Sequence, residues 1–286
     1  MNKKSDYLLN FSNIYDKITW YTYESVILSR FFVSLKSGDV VVKIIGVIPA
    51  RFHSSRLPGK PIADICGKPM IWWVYQNAIR VKEFDAVYVA TDNGQIRSVC
   101  DEYNMNVIMT STAHDTPTSR IYEVSQTVDS DLYVFIGGDE PLVDSDAISE
   151  VVGTAVRTGG MVTNAMTVIA SASQVIDYSN IKVVVNTDGR LLYASRSAIP
   201  YPKGELDFNY RKFVGIGAFT KEALAIYNRT KKSRLELIEN CDLIRFLDIG
   251  VPVRMVEVTC RSLSVDTSKD LAMVSSIIHN ARFGNG

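Results

Sequence analysis

The run Val41-Val42-Lys43-Ile44-Ile45-Gly46-Val47-Ile48 constrains this chain more than any other segment. A strand made from it has no polar face, so it must be covered on both sides. The following residues supply the cover. Pro69 opens a helical pattern in which Met70, Val74 and Ala78 recur at four-residue spacing, with Ile71 beside them. Ala86 to Ala90 reads as a second strand, and Gln95 to Tyr103 as a short helix with Ile96 and Val99 on one face. Leu132 to Ile136 reads as a third strand, and Ala147 to Val156 as a helix. Strand, loop and helix in repetition predict an α/β fold around an open, mostly parallel sheet.

Such a Rossmann-like sheet binds ligands outside the C-terminal ends of its strands. Those ends are the loops at 49–60, 91–94 and 137–141. Beyond residue 160 the texture changes. Val162–Ile169, Ile181–Val185 and Leu191–Ser195 read as short strands, with Asn186-Thr187-Asp188-Gly189 as a hairpin turn. Lys221–Tyr227, Leu235–Leu247 and Lys269–Ala281 read as helices, and Val251–Val258 as a strand. The expectation is a domain over 42–286 with a smaller α+β lobe at about 160–220. Residues 1–41, rich in Tyr, Ser, Asn and Lys, read as an N-terminal extension, either a tail or a packing or partner-binding segment.

Thirty-one basic and 31 acidic residues give zero formal charge, which offers no basis for nucleic acid as the main partner. Cys66, Cys100, Cys241 and Cys260 show no zinc-ligand spacing. Scattered cysteines of this kind predict reduced thiols and a cytoplasmic enzyme. The apolar stretch around Val26 to Val33 is interrupted by Arg30 and too short to cross a membrane.

Three segments carry chemistry. Arg51, Arg56 and Lys60 crowd the loop Pro49-Ala50-Arg51-Phe52-His53-Ser54-Ser55-Arg56-Leu57-Pro58-Gly59-Lys60, directly after the first strand. Their charges suit a triphosphate, although no Walker or G-x-G-x-x-G pattern is present. Gly137-Gly138-Asp139-Glu140-Pro141 places a carboxylate at another strand end, where it could hold Mg²⁺. In Ser264-Val265-Asp266-Thr267, Asp266 reads as a second metal ligand or as the cap of the last helix.

Together with Gly67-Lys68-Pro69-Met70-Ile71, Ala90-Thr91-Asp92 and Leu192-Tyr193-Ala194-Ser195-Arg196 near Ile199-Pro200, these segments resemble the CMP-Kdo synthetases. Those cytidylyltransferases activate 3-deoxy-manno-octulosonate (Kdo), and the likeness runs from Val42 to about Ala281. It implies a nucleotidyltransferase of GT-A-like fold that moves CMP from CTP to an acidic sugar and releases pyrophosphate. Arg51, Lys60 and Asp139 would be catalytic. Ala50, Arg56 and Thr118 would join them around the nucleotide, and Asp139 with Asp266 would hold Mg²⁺. Arg196, Phe213, Gly217 and Asp242 would face the acceptor. The second lobe would form a homodimer.

The departures from the family pattern cluster on the acceptor side. Gly137 stands where the family has Gln, Phe213 where it has His, Gly217 where it has Tyr, and Asp242-Leu243 where it has Glu-Gln. Gly137 and Gly217 predict a larger pocket, Phe213 and Leu243 a less polar one. That leaves room for an acceptor other than Kdo, such as a phosphonate or a phosphorylated small molecule. The family segment H-x-S-G-T-x-R stands here as His114-Asp115-Thr116-Pro117-Thr118-Ser119-Arg120. Two further readings compete: a glycosyltransferase using Asp129-Ser130-Asp131 or Asp144-Ser145-Asp146, and a non-enzymatic binding protein.

Overall fold

The computed structural model describes residues 42–54, 56–204, 208–260 and 262–283, so the expected N-terminal extension lies outside the described residues. Strand β1 (Ile44–Ala50) runs through the middle of the sheet, as its sequence demands. It pairs in parallel with β4 (Ala86–Thr91) and with β6 (Leu132–Ile136). Ile44, Ile48 and Ala50 enter one core cluster, while Ile45 and Val47 enter the other. This two-residue alternation is what a strand covered on both faces requires.

Helices α1 (Met70–Ala78), α2 (Gly94–Glu102) and α4 (Ser145–Thr158) cover the first face through Ile71, Val74, Ile96, Ile148 and Val151. Helix α3 (Pro117–Thr127) covers the second through Ile121 and Val124, joined by Leu224 and Tyr227 of α6 (Lys221–Arg229). Two short strands, β2 (Asp64–Ile65) and β3 (Lys68–Pro69), form a separate small ladder.

Strand β5 (Val107–Met109) extends the sheet in parallel beyond β4. On the other side, β10 (Arg211–Thr220) runs antiparallel between β6 and β7 (Val162–Val168), and β11 (Val253–Glu257) closes the edge parallel to β7. The sheet is therefore mostly parallel, with β10 reversed. Strands β8 (Lys182–Val185) and β9 (Leu191–Ser195) form the expected hairpin, with Gly189 at φ 75° in its turn. Residues 160–220, read as a second lobe, thus supply β7 and β10 to the central sheet. The hairpin and the five-residue α5 (Ala172–Ile176) accompany them.

Two sequence expectations change. The single helix read over 235–247 is two, α7 (Arg234–Glu239) and α8 (Leu243–Asp248), because Asn240 adopts a left-handed conformation at φ 48°. Helix α3 gave no apolar periodicity because Thr118, Arg120 and Ser125 occupy its buried face. The final helix α9 (Ser268–Phe283) agrees closely with expectation. Among the described residues, no helix is long and apolar enough to cross a membrane.

Candidate active site

The loop after β1 folds back on itself. Gly59 N–H donates to Phe52 O, and Gly59 takes φ 68°, which a side chain would strain. A 3-10 turn over Lys60–Ile62 follows, with Pro61 buried, and it directs Lys60 inward. The loop after β6 comes close: a Cβ on Gly138 would lie 2.7 Å from the Pro49 carbonyl. Only glycine allows that approach, which joins the ends of two neighbouring strands. Val265 N–H donates to Asp139 O at 2.9 Å and brings in the third loop.

These contacts gather residues far apart in sequence. Lys60 Nζ lies 2.7 Å from Asp139 Oδ2 and 3.1 Å from Asp266 Oδ1, and Arg56 lies 3.0 Å from Asp266 Oδ2. Burial works against the Lys60 charge, but Asp139 and Asp266 outweigh it and hold its pKa above the usual lysine value. The neighbours of Asp266 take the capping role in its place. Thr267 Oγ1 accepts from Asp270 N–H, while Asp270 Oδ2 accepts from the N–H of Thr267 at 2.8 Å. That capping pair serves α9 and leaves the Asp266 carboxylate facing Lys60.

A cleft of about 270 Å³ opens over this cluster, lined by Ala50, Arg51, Arg56, Lys60, Gly137, Asp139 and Asp266. His114 and Arg120 line its other wall. Arg120 donates to Asp92 at 2.8 Å and to Thr110 at 2.5 Å, tying the ends of β4 and β5 to α3. His114 Nε2 pairs with Glu123, and its Nδ1 lies 3.2 Å from Ser119 Oγ. Burial raises the Glu123 pKa, but His114 and the Ser111 N–H outweigh it and hold the carboxyl below the usual range.

A second cleft of about 260 Å³ adjoins the first and shares Arg51, Asp115, Thr116, Pro117 and Phe135 with it. Phe213, Phe219, Ile181, Leu237 and Leu243 give it apolar walls, while Asn164, Thr118 and Asp242 add polar atoms. Thr118 therefore lies in the second cleft, where its hydroxyl donates to Asp242 at 2.5 Å. Burial pushes the Asp242 carboxyl above the usual range.

The structure brings together Ala50, Arg51, Arg56, Lys60, Asp139 and Asp266 in one cleft, and Phe213, Thr118 and Asp242 in the other. Arg196 is not among the lining residues of either. Its guanidinium donates to the carbonyls of Glu239, Tyr178 and Asn240. Gly217 opens no space, because a Cβ there would lie 2.7 Å from Asn164 Oδ1. Gly137 borders the first cleft rather than the second. Sequence reasoning missed Asn164, Phe135 and Lys232, which carried no motif, and gave no role to Asp115, which fills an unspecified position of the His114–Arg120 segment. The competing Asp-x-Asp segments lie outside both clefts. Asp129 pairs with Lys221, Asp131 accepts from Lys43 N–H, and Asp144 caps α4.

As for a metal, Asp139 and Asp266 both reach one ammonium, so their oxygens lie within reach of one small cation. Two carboxylates beside the cations Arg56 and Lys60 fit Mg²⁺, which keeps waters and rarely takes an all-protein cage. Among the described residues, no group of three or more His, Cys, Asp or Glu is arranged to hold a metal.

A mostly parallel sheet with cations and paired carboxylates at its strand ends defines a nucleotidyltransferase site. Residues 45–255 match the cytidylyltransferase family, and the chain belongs to it. The 3-deoxy-manno-octulosonate cytidylyltransferase of Lawsonia intracellularis is 39% identical over 237 residues, covering 82% of this chain and 93% of that protein. The Escherichia coli enzyme of the same name is 36% identical over 236 residues, covering 82% and 96%. The solved structure of CMP:2-keto-3-deoxy-manno-octonic acid synthetase complexed with CTP superposes with a TM-score of 0.80 at 36% identity. It covers 84% of this chain and 99% of that one. The resemblance seen in the motifs therefore extends across the fold.

Proposed function

We propose that this chain transfers CMP from CTP to a hydroxyl of an acidic sugar, Kdo or a close relative, with Mg²⁺ and with release of pyrophosphate. The observation that carries this reading is the pair of clefts meeting at Arg51, one cationic with two carboxylates and one shaped for a small acceptor. CTP in the first cleft would place its phosphates against Arg51, Arg56 and Lys60, which neutralise charge gathering on the departing pyrophosphate. Mg²⁺ bound by Asp139 and Asp266 would polarise the α-phosphate and favour ionisation of the attacking hydroxyl. The acceptor in the second cleft would present that hydroxyl across the shared wall, in line with the bond to the leaving group. The reading needs no protein nucleophile.

The apolar walls from Phe213, Phe219 and Leu243 favour a second reading, the same transfer to an acid less hydroxylated than Kdo. Mass analysis of products from CTP, Mg²⁺ and a panel of sugar acids and phosphonates separates the two. A CMP-Kdo product supports the first, and a CMP adduct of another acid alone supports the second. Appearance of CDP or CMP without any adduct contradicts both.

By the same resemblance the chain is a cytoplasmic homodimer. Exposed Ile176, Tyr178, Leu192, Tyr201 and Ile238, on or near the β8–β9 hairpin and α7, support the pairing. A monomeric mass in light scattering contradicts it.

A further inference from the structure

Strand β10 loses register between Phe213 and Gly217, where it passes β7. That bulge interrupts the ladder beside the second cleft. Asn164 fills the interruption: its Nδ2 donates to Val214 O at 3.1 Å and to Ala165 O at 2.9 Å. Both amide hydrogens are therefore committed, and the flip state of the side chain is fixed. Its Oδ1 is left over. The residue is only 1% exposed and lines the second cleft, and its oxygen is not among the buried atoms left without a partner, so what exposure it keeps is to the cleft. The oxygen stands 2.7 Å from where a Cβ at Gly217 would be. It occupies the space that a side chain at position 217 would take.

We infer that Asn164 Oδ1 reads the acceptor, accepting a hydrogen bond from a donor group on the molecule in the second cleft. This rests on the CMP-transfer reading of the two clefts. An amide oxygen open to the cleft is hydrated while the cleft is empty, and a bound molecule that displaces the water must supply an O–H or N–H in its place or leave the oxygen unpaired. Phe213, Phe219, Ile181 and Leu243 line the same cleft as Asn164. Discrimination against acceptors lacking the donor follows from the same physics.

The test is steady-state kinetics of the full chain with CTP and a panel of sugar acids. The panel includes Kdo and analogues deoxygenated or O-methylated at one hydroxyl at a time. Asn164→Leu removes the oxygen. Gly217→Ala displaces it but keeps both amide donors at Val214 and Ala165, which guards against a folding defect in the first variant. Both should raise the acceptor KM by about tenfold or more, the loss of one buried hydrogen bond, while CTP affinity by calorimetry stays unchanged. One modified acceptor should be poor for the native enzyme and indifferent to Gly217→Ala. Unchanged acceptor KM in a folded Gly217→Ala variant overturns the inference alone. A native enzyme inactive on every sugar acid, yet able to bind CTP, removes the acceptor reading and this inference with it.

Discussion

Lys60 and Asp139, 79 positions apart in sequence, meet in an ion pair of 2.7 Å, and the same ammonium reaches Asp266 at 3.1 Å. Without nucleotide, the lysine supplies the positive charge that two facing carboxylates require. In the proposed reaction, an entering metal and triphosphate would offer the lysine phosphate oxygens instead, so that one residue would serve both halves of the site.

Lys60→Met should therefore separate metal binding from catalysis. With the ammonium gone, Mn²⁺ should bind the nucleotide-free enzyme about tenfold more tightly, as read by electron paramagnetic resonance. CMP transfer should nonetheless slow by about 10²-fold or more, since charge on the leaving group is left unbalanced. Weaker Mn²⁺ binding in the variant contradicts this account of Lys60.

Glu123 gives a pH-dependent prediction. His114 and the Ser111 N–H hold its carboxyl below the usual range in the folded chain despite the opposing effect of burial. A depressed carboxyl pKa stabilises the fold above the unfolded value, near 4.3, and that contribution is lost as pH falls through the folded value. Glu123→Gln should lower the melting temperature at pH 6, and the gap should close towards pH 3. A gap that persists unchanged at low pH shows that the effect is packing rather than charge.

Beneath the second cleft, Arg245 holds Glu236 through two bonds of 2.6 and 2.7 Å, with its guanidinium 3.7 Å from the Tyr227 ring centre. Both side chains are buried, and removing one partner leaves an uncompensated charge. Glu236→Gln should cost about 3–5 kcal/mol in urea unfolding. A loss under about 1 kcal/mol would show that the pair is replaceable.

Arg196 acts through what it holds. Two of its three carbonyl partners, Glu239 and Asn240, stand at the end of α7, where Asn240 borders the second cleft, and the third, Tyr178, ties that end to the segment after α5. Arg196→Ala should raise the acceptor KM severalfold and leave the CTP KM unchanged, with lysine a poor substitute because it lacks the planar fork. Equal loss against both substrates would point to general unfolding instead.

Much of the first cleft was legible in the sequence, because strand-end loops there concentrate unusual residues. Arg51, Arg56, Lys60 and Asp139 announce themselves by charge at the end of an apolar run. Asp266 did not, since an aspartate before a helix serves equally as a cap. The Thr267–Asp270 pair, visible in space, takes the capping role. The second cleft was harder. Asn164 sits inside the buried strand β7 between residues that carry no motif, and its position depends on a bulge in β10 that no local pattern records. Arg196 shows the opposite difficulty, a motif residue whose charge is taken up by backbone carbonyls.

The most direct measurement is pyrophosphate release from CTP with Kdo and Mg²⁺, run beside Asp139→Asn and Asp266→Asn. The expected result is release that needs both the metal and the acceptor, and that falls by about 10²-fold or more in each variant. Release that continues without an acidic acceptor, or that survives loss of both carboxylates, contradicts CMP transfer at this site.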